Sequence, residues 1–208
     1  MSNIESDAPR TRRHFSMIRN FHLADLFTIS NGFCGVWAIF EAMKYIRTGE
    51  AGHVYKAALL VPLALVFDVL DGRIARWRHK ASALGRELDS LADAVSFGVA
   101  PAAIAFAVGL DSVLDQIILI YFAACGISRL ARYNVTAVEM ADETGKVKYF
   151  EGTPIPTSVV VLGLLMLAFF YGNFLPVKLL GARLDLVALA FLLSGSLMIS
   201  KTLRIPKP

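Results

Sequence analysis

Charged residues are scarce in this chain of 208 residues: Asp, Glu, Lys and Arg together make up only 18%. An average soluble domain carries about 25%. Hydrophobic residues make up 56% of the chain, and its mean hydropathy is +0.57. These values exclude an ordinary soluble domain and favour a protein that crosses a membrane several times.

Cysteine is also rare, with only Cys34 and Cys125 in the chain. Both fall inside apolar segments and neither belongs to a CxxC pair, so buried thiols are predicted rather than a disulfide or a metal site. The chain lacks internal repeats and low-complexity tracts. Its first residues lack the apolar core of a cleavable signal peptide, so the first span is predicted to act as its own insertion signal.

Long apolar runs, in contrast, are abundant, and they predict an all-α polytopic membrane protein. A spanning helix needs roughly 20 residues. We predict six spans, at residues 26–46, 57–76, 88–110, 113–131, 155–171 and 184–199. They form one membrane domain, residues 26–200, between a basic N-terminal segment, 1–25, and a basic C-terminal tail, 201–208. The N-terminal segment is either a short interfacial helix or a disordered basic tail held by anionic lipid.

The distribution of Lys and Arg predicts that both termini face the cytoplasm. With that orientation most of the 21 basic residues lie on the inner side. The lack of a long N-terminal extension favours a bacterial inner membrane over the endoplasmic reticulum. The polar connection at 136–153 is either a lid over a cytoplasmic site or a plain linker. The basic residues predicted on the outer side are Lys44, Arg47, Lys56, Lys178 and Arg183.

An acidic helix face interrupts the second apolar run. Asp68, Asp71, Gly72 and Ala75 follow one another at i, i+3, i+4 and i+7, which is the spacing of a single helical face. Gly72 and Ala75 are small enough to let a ligand approach the backbone, and Arg76 can bind a phosphate through charge-assisted hydrogen bonds. Tight helix packing is the alternative explanation for the small residues.

A second acidic face follows on the next predicted helix, where Gly85, Asp89, Asp93 and Ser96 are spaced at i, i+4, i+8 and i+11. Four carboxylates on two neighbouring helices repel one another unless something neutralises them. Hard oxygen ligands select Mg²⁺ or Mn²⁺, and two such ions roughly 3.5 to 4 Å apart can hold the oxygens of a phosphoryl transfer. A pyrophosphate-binding site is predicted; a metal or proton transport path is the alternative of a different class.

These positions carry a resemblance to a known family. The run Asp68-x2-Asp71-Gly72-x2-Ala75-Arg76-x8-Gly85-x3-Asp89-x3-Asp93 is similar to the signature of CDP-alcohol phosphotransferases. The resemblance implies a six-helix membrane enzyme, usually a homodimer, that moves a phosphatidyl or similar group from a CDP-linked donor to an alcohol. It also implies release of CMP and use of two Mg²⁺ or Mn²⁺ ions. A catalytically inactive scaffold of the same fold is a further alternative.

Four stretches resemble the serine-accepting branch of this family, including its fungal type. They are "NGFCG" at 31–35, "DSLADAVSFGVAPA" at 89–102, "CGISRLARYNV" at 125–135 and "YFEGTPIPTS" at 149–158. The implied partners are CDP-diacylglycerol, L-serine and membrane lipids, with no nucleic acid. The branch that accepts glycerol phosphate tends to carry Pro where this chain has Ser90 and Lys where it has Ala94. Glycerol 3-phosphate or an inositol phosphate stays open as the acceptor, since Lys146 and Lys148 could bind an added phosphate.

The resemblance also implies roles for single residues. Metal binding falls to Asp68, Asp71, Asp89 and Asp93, and Asp93 is also the general base for the serine hydroxyl. Binding of the CDP-linked donor is predicted, from small size, charge or polarity rather than from the resemblance, for Asn31, Gly72, Ala75, Arg76 and Gly85.

Two of the binding assignments rest on polar residues that have a second explanation. Asn31, with Thr28 three residues before it, could instead hydrogen-bond another helix. Because serine is a zwitterion, its carboxylate needs a cation, and Arg129, Arg132 and Tyr133 are the candidates. Anchoring of the helix at the lipid headgroups is the alternative for these residues.

Overall fold

The computed structural model describes residues 23–77, 83–139, 149–179, 182–200 and 204–206. Most of the N-terminal segment lies outside these residues, so its interfacial helix stays a prediction. Residues 140–148 of the connection at 136–153 and most of the C-terminal tail also lie outside the described residues.

Helices dominate the described residues, which confirms the predicted class. Two short antiparallel strand pairs are added to them: β1 (Tyr149–Glu151) pairs with β4 (Arg204–Pro206), and β2 (Pro176–Leu179) pairs with β3 (Ala182–Asp185). The helices are α1 (Leu23–Thr48), α2 (Ala51–Trp77), α3 (Ala83–Asp93), α4 (Ala100–Ala107), α5 (Val113–Glu139), α6 (Ser158–Phe170) and α7 (Ala188–Ile199).

Three segments among the described residues are long and apolar enough to cross a membrane: Asp25–Thr48, Leu84–Ala107 and Val113–Val135. Large apolar side chains point outward from them, as Phe33 does with 71% of its surface exposed. Such surfaces are suited to lipid rather than water. The protein is therefore a membrane protein, and the count of six spans stays a prediction.

The predicted last span, residues 184–199, starts before the helix that the structure shows. Residues 184 and 185 belong to β3, where Leu184 pairs with Val177 and Asp185 with Pro176, and the helix begins only at Ala188. Apolar residues on both sides of the boundary hid this change, because hydropathy does not distinguish a short buried strand from the start of a helix.

The predicted third span contains a break in its helical pattern. Residues Ala94–Val99 form a π-helical segment between α3 and α4, in which the Ala100 N–H bonds to the Val95 carbonyl five residues back. Pro101 follows at once and has no N–H for the regular helical ladder. The π segment begins directly after Asp93, in keeping with the frequent occurrence of such segments at functional sites.

Close packing of α1 on the π segment positions the site. A Cβ atom at Gly35 would overlap the Ser96 hydroxyl and lie 2.7 Å from the Ser96 Cα. Only glycine permits this approach of the two backbones. One turn earlier Gly32 faces Ala92, where an added Cβ would make an ordinary contact at 3.6 Å.

The two ends of the helix bundle differ. We call the end that carries Asp68, Asp71, Asp89 and Asp93 the acidic end, and the end that carries the α1–α2 turn, the α4–α5 turn and β2–β3 the hairpin end. At the hairpin end, the rings of Tyr45 and Tyr55 pack edge-on against Phe169 of α6. Cys34 and Cys125 are buried free thiols, as predicted.

Candidate metal and acceptor site

Three of the predicted ligands meet at the acidic end. Asp68 and Asp71 lie on α2, Asp89 lies on α3, and one carboxylate oxygen from each falls within 4.8 Å of the others. Among the described residues no Lys, Arg or His forms an ion pair with this cluster. The Asp89 Oδ1 atom is buried without a hydrogen-bond partner. This arrangement fits a divalent cation, because hard oxygen donors with unused lone pairs are what Mg²⁺ and Mn²⁺ bind.

Asp93 is held separately, by α1. The Asn31 amide donates a hydrogen bond of 2.9 Å to Asp93 Oδ1, and the Ser96 hydroxyl donates to the Asn31 backbone carbonyl at 2.9 Å. The Asn31 Oδ1 atom is buried and has no partner. Asn31 therefore makes an interhelical hydrogen bond, which was one of the two roles predicted for it. Contact of its Oδ1 atom with the CDP-linked donor, the other role, stays a prediction.

Thr28 orients one member of the carboxylate cluster. Its hydroxyl donates to Asp71 Oδ2 at 2.8 Å, and both residues are buried. Thr28 and Asn31 are one helical turn apart, so a single face of α1 fixes one carboxylate on α2 and another on α3. Sequence reasoning noted the spacing of Thr28 and Asn31 but did not include Thr28 in the site, since a threonine in an apolar span has many ordinary explanations.

Two of the other predicted donor-binding residues are close in sequence to the aspartates of the cluster, and the side chains of the other two are not described. Gly72 directly follows Asp71 and is half-buried, as is Gly85 one turn before Asp89. Ala75 and Arg76 belong to the last turns of α2, but their side chains lie outside the described part of the chain. Their role in binding the donor stays a prediction.

Arg129 of α5 is the predicted acceptor-binding residue that lies deepest. Only 8% of its surface is exposed, its Nε atom has no hydrogen-bond partner, and its charge interacts with that of Asp93. Arg132 donates from Nη1 to the Ile199 carbonyl at 3.4 Å, which ties α5 to α7. Tyr133, the next residue on the same helix, is half-buried.

Ser90 of α3 forms a hydrogen bond with α5, the helix that carries Arg129 and Arg132. The Asn134 amide donates to the Ser90 hydroxyl at 3.0 Å and to Glu87 at 3.3 Å. Proline, the residue expected here in the glycerol phosphate branch, could not make this bond. Ser90 thus has a structural role beside Asp89 that the sequence pattern could not reveal, because its partner is 44 residues away.

Together, these features define a class: a helical membrane protein with a partly buried carboxylate cluster suited to divalent cations and a buried arginine whose Nε atom has no hydrogen-bond partner. The chain matches the family described as CDP-alcohol phosphatidyltransferase over residues 21–197. It belongs to that family, as its signature predicted, and is a transferase of phosphate-containing groups.

Curated relatives share most of the chain. The CDP-diacylglycerol–serine O-phosphatidyltransferase of Saccharomyces cerevisiae is 45% identical over 206 residues, covering 94% of this chain and 74% of the relative. The archaetidylserine synthase of Methanothermobacter thermautotrophicus is 32% identical, covering 84% and 68%. The CDP-diacylglycerol–serine O-phosphatidyltransferase of Bacillus subtilis is 32% identical, covering 72% and 77%.

Proposed function

We propose that this protein is a phosphatidylserine synthase that transfers the phosphatidyl group of CDP-diacylglycerol to the hydroxyl of L-serine and releases CMP. The observation that carries this proposal is the convergence of Asp68, Asp71 and Asp89 beside an Asp93 that Asn31 holds in place. The names of the relatives support serine as the acceptor. Family membership favours this reaction over a transport path.

Asp68, Asp71 and Asp89 would hold Mg²⁺ or Mn²⁺, with Asp93 as the predicted fourth ligand. When bound, two divalent ions neutralise the charge that develops on the pyrophosphate oxygens as CMP leaves. Thr28 keeps the Asp71 carboxylate in one orientation through its hydrogen bond of 2.8 Å. Gly72, Ala75, Arg76 and Gly85 would leave room for the pyrophosphate and bind it.

In the proposed reaction, the serine hydroxyl oxygen bonds to the phosphorus that carries the diacylglycerol. The bond from that phosphorus to the oxygen bridging it to CMP breaks, and the bridging oxygen leaves with CMP. Asp93 takes the proton of the serine hydroxyl. Its position is fixed by Asn31, and a positioned base of this kind contributes roughly 10² to 10⁴-fold to a rate.

Arg129 would bind the carboxylate of L-serine. An Arg Nε that is buried without a partner has a hydrogen bond to offer, and bonds from Arg to a carboxylate are among the strong ones. Its interaction with the charge of Asp93 supports a location near the base. Arg132 and Tyr133 follow on the same helix and are proposed to line this side of the site.

The acidic end is proposed to face the cytoplasm, because the basic residues of the chain favour that side. A bacterial inner membrane as the location and a homodimer as the active state remain predictions of the sequence and of the family resemblance. Neither enters the proposed chemistry.

Release of CMP by the purified protein tests the proposal. CDP-diacylglycerol in detergent micelles is offered with Mn²⁺ or Mg²⁺ and with L-serine, glycerol 3-phosphate or inositol phosphate as the acceptor. We expect release that requires both the metal and L-serine, and it should stop when EDTA is added. Release with another acceptor would replace the serine assignment while keeping the carboxylate site, whereas metal-independent release would contradict the site itself.

A further inference from the structure

Two polar atoms beside the 3₁₀ turn at Ile155–Thr157, Thr153 Oγ1 and Ser158 Oγ, are buried without hydrogen-bond partners, and so is Arg129 Nε on α5, the helix that the turn contacts. Ser158 has no exposed surface, and Arg129 has 8%. Buried polar groups nearly always have partners, since leaving them without any is costly. A set of three on the turn's flanks and on the helix that it contacts therefore points to a polar ligand.

Ile155 places this turn between the two helices that carry Asp93 and Arg129. Its Cδ1 atom would lie 2.8 Å from a Cβ atom at Gly126 and 3.8 Å from one at Gly98. Gly126 is one helical turn before Arg129 on α5, and Gly98 is in the π segment that begins after Asp93. Glycine at position 126 lets the turn lie directly against α5, and at Gly98 the distance is that of an ordinary contact.

The residues before the turn are attached to the end of α7. Gly152 has a φ of +72°, and the next residue, Thr153, donates its N–H to the Leu197 carbonyl at 3.2 Å. Arg132 reaches the Ile199 carbonyl at the same helix end. The backbone before the turn and Arg132 of α5 therefore contact the same end of α7.

We propose that Thr153 and Ser158 complete, with Arg129, a subsite for the amino-acid end of L-serine, an inference that rests on the proposed function. Arg129 binds the carboxylate. A hydroxyl both donates and accepts hydrogen bonds, so Thr153 and Ser158 can bind either the carboxylate or the ammonium group. Ile155, which has no exposed surface, fills the space between them and limits the acceptor to a compact amino alcohol.

Kinetics of CMP release, measured separately against L-serine and CDP-diacylglycerol, test this subsite. In Thr153→Val and in Ser158→Ala we expect KM for L-serine to rise about tenfold, since each loses a hydrogen bond to a charged group. KM for CDP-diacylglycerol and kcat should change less than about threefold, because the carboxylate cluster is untouched. Thr153→Ser keeps the hydroxyl and should restore the wild-type KM for L-serine.

Thr157 offers a matched control in the same turn. Its hydroxyl already donates to the Pro154 carbonyl at 2.7 Å, so Thr157→Val should leave KM for L-serine unchanged. An unchanged KM for L-serine in Thr153→Val and Ser158→Ala would overturn the subsite, as would an equal rise for both substrates. If the wild-type protein releases no CMP with L-serine, the proposed function fails, and the subsite fails with it.

Discussion

Buried acids lie at both ends of this helix bundle, but their charged neighbours differ: Glu41 and Asp185 at the hairpin end form ion pairs with basic side chains, whereas no Lys, Arg or His of the described residues forms one with the cluster of Asp68, Asp71 and Asp89. Glu41 of α1 accepts hydrogen bonds from Lys44 at 2.7 Å and from Trp37 at 3.2 Å, and it lies 2.7 Å from the His53 Nδ1. At the acidic end, Asp89 keeps a buried oxygen without any partner.

Two further buried acids at the hairpin end, Asp115 and Asp185, contact each other, and Asp185 also lies beside a basic side chain. Asp115 accepts from the Ser112 hydroxyl at 2.6 Å and from the Asp185 N–H at 3.0 Å, and Asp185 lies 3.1 Å from Arg183. The residue type is the same as in the carboxylate cluster of the acidic end, yet the environment differs. Acids beside a basic side chain hold helices and strands together, whereas a cluster of acids without a basic partner is available to bind a cation.

The largest effect should come from Asp93→Asn, which we expect to reduce serine-dependent CMP release by about 100-fold or more. The substituted amide can still accept the bond from Asn31, so thermal unfolding in detergent should be unchanged. Asp115→Asn, the same substitution at the hairpin end, should keep CMP release per folded protein within about twofold. Equal activity loss in both variants would contradict the division between the two ends.

Removal of Glu41 should instead affect stability. Glu41→Ala leaves the His53 and Trp37 donors without their acceptor, which costs about 1–3 kcal/mol of unfolding free energy, while CMP release per folded protein stays near wild type. Thermal unfolding and CMP release of the same preparation check this. Glu50→Ala removes an exposed acid next to His53 and should change neither; a loss of activity in Glu41→Ala at unchanged stability would be the contrary result.

Gly35→Ala tests the acidic end by disturbing the contact between α1 and the π segment. The added Cβ atom has no room beside Ser96, and such overpacking costs about 1–3 kcal/mol. Because Asn31 moves with α1, CMP release per folded protein should also fall. At Gly32 the same change makes an ordinary contact, so Gly32→Ala is the control, and similar behaviour of the two variants would show that the close approach is unimportant.

The smallest effect concerns pH at the hairpin end. Burial raises the pKa of Asp185 above its ordinary value of 3.8, against the opposing effect of Arg183. The folded state therefore holds the proton more tightly than the unfolded state, so this carboxyl's contribution to stability is complete below pH 3.8 and declines as the pH rises through the raised pKa. Thermal unfolding measured across this range should show a smaller decline in Asp185→Asn, and identical slopes would exclude the effect.

How much of the site could be predicted depends on how local each feature is. The two acidic faces follow from helical spacing within α2 and α3, so Asp68, Asp71 and Asp89 could be grouped from their spacing and residue type alone. Hydrophobicity located the helices but misplaced the start of α7 and missed the π segment. Both depend on backbone hydrogen bonds that hydropathy does not record.

Composition and a signature of fixed spacing are enough to identify a membrane protein of the CDP-alcohol phosphatidyltransferase family without any coordinates. Which polar atoms have hydrogen-bond partners, in contrast, can be read only from the folded protein. Asn31 hydrogen-bonds Asp93, which is 62 residues away in the chain, and Thr28 hydrogen-bonds Asp71, 43 residues away. The hydroxyl groups of Thr153 and Ser158 have no hydrogen-bond partner. Those outcomes depend on how closely helices approach, and that distance is set by side chains from several helices at once.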